Sequence, residues 1–198
     1  MNTLTQIAIL IIQTVGGLYA LTLLLRFLLQ VARADYYNPV SQGIVRLTNP
    51  VLLPARRLIP GLWGLDLASL ILAWAAESLT IAASLLVAAS LPNPLLVLAW
   101  AAIGLVSMTL YLYLGAMLVM IVLSWVAPMT RHPLAVIVVQ LVRPICAPFQ
   151  RLLPDLGGID FSPILVFLAL NIGRLLVEHA AAYTGLGGAL RSIVPGLL

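Results

Sequence analysis

The chain has 198 residues, of which 63% are hydrophobic and 8% are charged. About a quarter of the residues in soluble proteins are charged. This composition and a mean hydropathy of +1.13 therefore exclude a soluble globular protein. The chain has a net charge of +4, and its basic residues are ten arginines that are scattered between apolar segments. This distribution is unlike the clustered basic face of a nucleic-acid-binding protein.

Four apolar segments are long enough to cross a membrane, because a hydrocarbon core of about 30 Å needs about 20 helical residues. They cover residues 4–31, 67–91, 98–127 and 161–183. The first segment follows no basic residue and is too long for the apolar region of a signal peptide, so we expect a retained membrane anchor. The sequence thus predicts an all-α membrane protein with four transmembrane helices.

Two long loops, residues 32–66 and 128–160, lie between the first and second spans and between the third and fourth spans. Eight arginines lie in or next to these loops, whereas the opposite side has one, Arg191. Arginine-rich short loops stay in the cytoplasm. We therefore expect an inner-membrane protein with both long loops in the cytoplasm and both termini on the outer side.

The two long loops resemble each other at an offset of 94 residues. Residues 39–66 align without a gap with residues 133–160, and 11 of these 28 positions are identical. We interpret residues 1–91 and 95–184 as two repeats, followed by a tail of residues 185–198. Each repeat would cross the membrane twice, so the two repeats would have the same orientation.

Each loop is predicted to contain a short amphipathic helix on the inner leaflet. Pro39 and Pro133 suit the first position of a helix, and Asn38 suits its N-cap. Apolar residues follow at helical spacing, namely Val40, Ile44, Leu47 and Val51 in the first loop and Leu134, Val138, Leu141 and Ile145 in the second. Because proline lacks an N–H group, we expect these helices to end or kink at Pro50 and Pro144.

The loops also carry a doubled motif of proline, arginine, glycine and aspartate. Its members are Asn49, Pro50, Pro54, Arg57, Pro60, Gly64 and Asp66 in the first copy and Arg143, Pro144, Pro148, Arg151, Pro154, Gly158 and Asp160 in the second. With two spans around each copy, the motif resembles that of the YggT family, also called YlmG-related membrane proteins. Ser124-Trp125 is similar to the family's Ser-Trp pair at the end of a first span. The chain departs from the pattern at Gln30-Val31, which replaces that pair in the first copy, and at Met120, which replaces Arg26 in the second.

The resemblance implies a role in osmotic-shock tolerance, division, nucleoid distribution or the assembly of membrane complexes. It implies no catalytic residues, and Cys146, His132 and His179 have no metal-ligand spacing, so we expect neither an enzyme nor a cofactor. We predict a non-enzymatic membrane scaffold or assembly factor whose loops recruit lipids or a protein partner, with no role for nucleic acid. The sequence leaves homo-oligomerisation open.

Arg57 and Arg151 each precede an aspartate, Asp66 or Asp160, by nine residues. One interpretation is an Arg–Asp pair that folds the loop back beside the next span. The alternative is an anion or lipid-headgroup site, since guanidinium binds phosphate through two hydrogen bonds. We expect the ion pair. The remaining loop arginines are expected to anchor the loops at the membrane interface, and these are Arg33, Arg46, Arg56, Arg131 and Arg143.

Polar residues also occur inside the predicted spans. Glu77 lies about 16 Å into the second span at 1.5 Å per residue, and Asn171 is its counterpart in the fourth. Asn171, Arg174 and Glu178 share one helix face. We expect a structural Glu77–Arg174 pair between the repeats; a polar path and a protonated, neutral Glu77 are the alternatives. A polar path through Glu77, Asn171 and Arg174 would favour an oligomeric ion channel or transporter.

Overall fold

The computed structural model describes residues 2–62, 64–91, 93–126, 132–152 and 162–185. These residues form helices and no strand. The helices are α1 (Thr3–Val31), α2 (Pro39–Leu58), α3 (Leu67–Val87), α4 (Pro94–Val126), α5 (Pro133–Leu152) and α6 (Ser162–Tyr183).

Five of these helices are long and apolar enough to cross a membrane. Four of them, α1, α3, α4 and α6, correspond to the predicted spans, and the fifth is the segment Pro133–Arg151 of α5. The prediction of an all-helical membrane protein is confirmed for the described residues. The structure thus has one more candidate span than the sequence predicts. The additional candidate is the second loop helix, α5, which is more apolar than the first, α2.

The helices pack as two groups of three around α1 and α4. α1 packs along α3, and α2 contacts both; α4 packs along α6, and α5 contacts both. The groups meet mainly where α3 packs against α4. The larger buried cluster draws on several helices, with Leu24 from α1, Met117 from α4, Val142 from α5 and Val166 from α6. The loop helices are therefore part of the packed structure.

Close helix contacts occur at one glycine in each group, and the glycines lie on opposite members of the pairs. A Cβ atom on Gly16 of α1 would overlap the side chain of Thr80 on α3. A Cβ on Gly173 of α6 would lie 3.4 Å from a methyl group of Leu110 on α4. The contact at Gly16 is thus too close for a larger residue, whereas the contact at Gly173 is an ordinary van der Waals distance. The glycine is on the first helix of one pair and on the second helix of the other.

Both loop helices run through their prolines. Of the two expectations, an end or a kink at Pro50 and Pro144, the end is therefore wrong. α2 continues through Pro50 and Pro54 to Leu58, and α5 has two internal prolines at the corresponding positions. In α2 the missing donors leave the carbonyl groups of Arg46 and Pro50 without a helical partner. Arg46, Pro50 and Pro54 are all exposed on one side of α2, where solvent or headgroups can satisfy these carbonyl groups.

The face of α2 that packs against the protein differs from the predicted apolar stripe. Its buried residues are Ser41, Ile44, Thr48 and Leu52. Of the predicted stripe, Ile44 is buried, whereas Leu47 is 66% and Val51 43% exposed. α2 therefore has a packed face and an adjoining apolar face that no described residue covers.

The starts of the two loop helices contact each other. Asn38 caps α2 as predicted, because its Oδ1 atom accepts a hydrogen bond from the Val40 N–H at 2.9 Å. Its Nδ2 atom donates to the carbonyl oxygen of Pro133, also at 2.9 Å. The Asp35 N–H donates to Oε1 of Gln140 on α5. The first loop is thereby bound to the second at two points.

Candidate functional site

The turn between α1 and α2 places several arginines around one cleft. α1 ends at Val31 with Ala32 as its C-cap, and Arg33 adopts a left-handed conformation with φ of 52°. The Ala34 N–H then donates to the carbonyl oxygen of Leu29 at 2.9 Å, which is the usual way in which a left-handed residue closes a helix C-terminus. The chain can therefore reverse its direction within a few residues and begin α2 beside the end of α1.

Arg26 joins α1 to α2 through neutral acceptors. Its Nη1 atom donates to Oγ1 of Thr48 at 2.5 Å, to Oδ1 of Asn49 at 2.9 Å and to the Val45 carbonyl oxygen at 3.3 Å. These acceptors bring no negative charge, so the guanidinium charge of Arg26 is held in the structure without a carboxylate against it.

Arg56 forms the ion pair of the first loop. Its Nη2 and Nε atoms lie 2.5 and 3.3 Å from the two carboxylate oxygens of Asp66. Burial acts to raise the pKa of Asp66, but the hydrogen bonds and positive charge of Arg56 outweigh burial and hold this pKa below its ordinary value. Asp66 is thus a carboxylate, and the contact ties the last turn of α2 to the start of α3.

The resulting cleft has a volume of 560 Å³ and lies between the end of α1 and the length of α2. Three guanidinium groups line it, those of Arg26, Arg33 and Arg56, together with the amide of Asn49 and the hydroxyl of Ser41. Ser41 is 6% exposed, and its hydroxyl oxygen has no hydrogen-bond partner among the described residues. The cleft is therefore positively charged and contains an unused hydroxyl group.

The predicted pair between Arg57 and Asp66 is wrong, because the neighbouring Arg56 occupies that place. Arg57 is exposed, and so is its counterpart Arg151. Neither side chain forms a hydrogen bond or ion pair within the described ranges. The paired arginine, Arg56, corresponds to Gln150 in the second copy. The predicted pair of Arg151 with Asp160 lies outside the described residues, because Asp160 is not among them.

Several other motif residues shape the ends of the loop helices. Asn49 accepts a hydrogen bond from Arg26, and Pro60 follows the end of α2. Gly64 has a φ of 79°, a conformation that favours glycine, and its carbonyl oxygen accepts from Nε2 of Gln30 at 3.0 Å. In the second copy Arg143, Pro144 and Pro148 lie on the exposed side of α5. Pro154, Gly158 and Asp160 lie outside the described residues.

Glu77 and Arg174 do not pair, so the predicted contact between the repeats is wrong. Glu77 is fully buried on α3, and neither carboxyl oxygen has a hydrogen-bond partner in the described part of the chain. Arg174 instead lies 3.2 Å from Oε1 of Glu178 on its own helix. Asn171 donates to the Phe167 carbonyl oxygen, also on its own helix. The four intramembrane polar residues therefore do not form one cluster.

The sequence did not reveal the roles of Arg33, Arg56 and Ser41. The sequence predicts interface anchors at Arg33 and Arg56, and no pattern in it singles out Ser41. The repeat contains one signal of this cleft, which is a difference between the two copies. The second copy has Met120, Ala127, Ala135 and Gln150 at the positions of Arg26, Arg33, Ser41 and Arg56. A comparison of differences between the copies, as well as of identities, would have found this set.

Metal chemistry has no support in the described residues, where no group of three or more histidine, cysteine, aspartate or glutamate side chains is close enough to hold an ion.

The fold and the arginine-lined cleft define a helical membrane protein with polar chemistry at the ends of its helices. Its sequence matches the CCB3/YggT family twice, over residues 5–87 and 99–181, and the chain belongs to this family. It is 46% identical over 186 residues to a protein of Pseudomonas aeruginosa, which covers 92% of this chain and 94% of that protein. It is 36% identical over 197 residues to the protein YggT of Escherichia coli, which covers 100% and 98% of the two chains. No solved structure matches the chain.

Proposed function

We propose that this protein is a non-enzymatic scaffold or assembly factor of the inner membrane that acts through α2 and α5. In this proposal α1, α3, α4 and α6 cross the membrane as two parallel repeats. α2 and α5 lie on the cytoplasmic surface and recruit a protein partner, and osmotic stress or cell division is the cellular context. The family matches support the two repeats, because the second matched range begins and ends 94 residues after the first.

The surface position of α2 is supported by its two faces. One face packs on the protein, while Leu47 and Val51 are exposed on the adjoining side, as in a helix that contacts lipid along one edge. We assign α5 to the same position, because it carries two internal prolines and the exposed residue Arg143. A charged arginine at the centre of a span would cost about 2.5 to 3.5 kcal/mol on insertion scales.

The observation that carries the proposed function is the state of Arg57 and Arg151. They occupy equivalent positions in the last turns of α2 and α5, are exposed, and have no partner within the described ranges. An internal structural role would require a contact, and neither arginine makes one with the residues that the structure describes. Two exposed arginines at matching positions suit recognition of an acidic surface on a partner.

Site-specific photocrosslinking in cells tests this proposal. A photoreactive amino acid at position 57 and, separately, at position 151 should yield crosslinks to the same protein, whose identity mass spectrometry would give. Position 46 is the matched control, because Arg46 is exposed on α2 but corresponds to Gln140 in the second copy. Equal crosslinking to all three positions, or none at 57 and 151, would refute the proposed recruitment.

A second candidate function, an oligomeric ion channel or transporter, is favoured by the buried carboxyl group of Glu77, which has no hydrogen-bond partner among the residues that the structure describes. Intramembrane acidic residues commonly mark ion or proton paths. Against this candidate, Asn171 bonds within its own helix and Arg174 bonds Glu178 and Tyr111, and neither forms a hydrogen bond with Glu77. Ion flux through purified protein in liposomes, abolished by Glu77→Gln, would establish the channel over the scaffold.

A further inference from the structure

We propose that the cleft lined by Arg26, Arg33 and Arg56 binds a phosphate group, and that this phosphate belongs to the headgroup of an anionic phospholipid. This site is distinct from Arg57 and Arg151, and it does not depend on the proposed scaffold role. Its volume of 560 Å³ lies within the range of about 300–1,000 Å³ that is typical of small-molecule sites.

The first argument is the charge balance of the cleft. Asp66 neutralises Arg56, whereas Arg26 has neutral partners. The side chain of Arg33 has no hydrogen-bond or ionic partner among the described residues. The nearby carboxylate of Asp35 accepts from the Tyr37 N–H at 2.9 Å and does not line the cleft. Asp66 also acts electrostatically on Arg26, but no carboxylate is among the described residues that line the cleft. Three guanidinium groups therefore face the same space with the single carboxylate of Asp66 beside them, and the cleft keeps an excess of positive charge.

The second argument is the number of unused donors. All three hydrogen bonds of Arg26 use Nη1, which leaves its Nε and Nη2 atoms for another acceptor. A buried hydroxyl group such as that of Ser41 normally has a partner, because leaving it without one costs free energy. Phosphate offers several acceptor oxygens and binds guanidinium groups through pairs of hydrogen bonds. It thus suits this donor set better than a monoatomic anion does.

The third argument is that the corresponding half of the chain folds without these residues. In the second half of the chain, the positions that correspond to the three arginines and Ser41 carry apolar or uncharged residues, namely Met120, Ala127, Gln150 and Ala135. Nevertheless α5 packs on α4 as α2 packs on α1. The positive residues are therefore not needed to form the helix pair, which separates them from a purely structural role.

The position of the cleft favours a lipid as the source of the phosphate. It lies at the end of α1, a helix of membrane-spanning length and apolarity. The ends of such helices lie at the depth of the lipid phosphates, where clustered basic residues bind anionic headgroups. This argument holds whichever side of the membrane the cleft faces.

Native mass spectrometry of the full chain in detergent, titrated with phosphatidylglycerol or with phosphatidylcholine, tests the proposal. We expect the wild type to prefer phosphatidylglycerol and Arg33→Gln to weaken this binding about tenfold, the effect of losing one charge-assisted hydrogen bond of about 1.4 kcal/mol. Arg33 is exposed, so this variant should fold. Ser41→Ala should weaken binding less, and the control Arg46→Gln should leave it within about twofold.

A second titration uses inorganic phosphate alone and distinguishes the two sources. Phosphate binding that depends on Arg33, without lipid preference, would keep the phosphate site but assign it to a soluble phosphate compound and overturn the lipid assignment. Equal affinity for both lipids together with no phosphate binding, or equal losses in Arg33→Gln and Arg46→Gln, would overturn the site itself.

Discussion

Two consecutive arginines at the end of α2, Arg56 and Arg57, have different surroundings. Successive residues on a helix point about 100° apart, so a single helix cannot direct both side chains towards Asp66. Arg56 takes this position, and Arg57 is left exposed. The identity between Arg57 and Arg151 suggested the opposite assignment, because a sequence comparison detects shared residues but not the direction in which they point.

The first prediction concerns this pair and its dependence on pH. Arg56 holds the pKa of Asp66 below its ordinary value of 3.8, so the stabilisation is present above that value and is lost as the pH falls through the lower, folded-state pKa. Arg56→Gln should lower the stability at neutral pH by about 1 kcal/mol or less, because Arg56 is partly exposed to solvent. The difference from the wild type should shrink in acid.

Thermal unfolding in detergent at neutral and acidic pH would measure this effect. Arg57→Gln is the matched control and should unfold like the wild type at both pH values. A greater loss in Arg57→Gln than in Arg56→Gln would contradict the assignment of the pair.

The second prediction concerns Glu77, whose carboxyl group has no hydrogen-bond partner in the described residues. A buried polar group without a partner costs about 1–3 kcal/mol, so Glu77→Leu should raise the unfolding temperature in detergent. Arg174→Leu should have a small effect, because its contacts with Glu178 and Tyr111 are partly exposed. The effects should add within about 0.5 kcal/mol in the double variant. If both single variants were instead less stable than the wild type, and the double variant regained that stability, the result would support the Glu77–Arg174 pair after all.

At the scale of the helices, the apolar periodicity was enough to locate α1, α3, α4 and α6, and the Asn38-Pro39 signal located the start of α2. The length of α2 could not be derived in the same way. Whether a proline ends a helix depends on the surroundings of the carbonyl group four residues earlier, which the proline leaves without a donor. In α2 these carbonyl groups belong to Arg46 and Pro50, which are both exposed. The cleft depends on distances between residues 26, 33, 41 and 56, which no spacing along the chain encodes.

The third prediction concerns the contact between α1 and α3. Gly16→Ala would place a methyl group against Thr80 and should destabilise the protein by about 1–3 kcal/mol, the usual cost of overpacking. Gly115→Ala is the control, because no atom lies within 4 Å of the added Cβ. That variant should be neutral or more stable by up to about 1 kcal/mol, since alanine favours helix over glycine. Equal unfolding temperatures for both variants would exclude tight packing at Gly16.

For the molecule as a whole, the role of α5 decides how the chain is threaded through the membrane. If α5 lies on the surface, the chain crosses four times and its two ends share a side. If α5 crosses, the chain crosses five times and its ends lie on opposite sides. α2 and α5 have similar neighbours, since each packs on the two other helices of its group, and this favours the surface position for both.

The fourth prediction is that both termini lie outside and that the α1–α2 and α4–α5 turns lie in the cytoplasm. Arginines flank these turns, and positive charge favours retention in the cytoplasm. Reporter domains fused after Leu198 and inserted between α1 and α2 should give opposite signals for sidedness. A cytoplasmic signal from the fusion after Leu198, with the α1–α2 turn also cytoplasmic, would show that α5 crosses the membrane.

The reversed glycine contacts limit how the two helix pairs could have evolved. In one pair the first helix supplies the small residue, Gly16, and in the other the second helix supplies it, Gly173. If α4 alone took the sequence of α1, Leu110 would become glycine opposite Gly173, and if α6 alone took that of α3, Gly173 would become leucine beside Leu110. A gene conversion that covered one helix of a pair would therefore leave a gap or an overlap, whereas one that covered both helices would carry the matching residues with it.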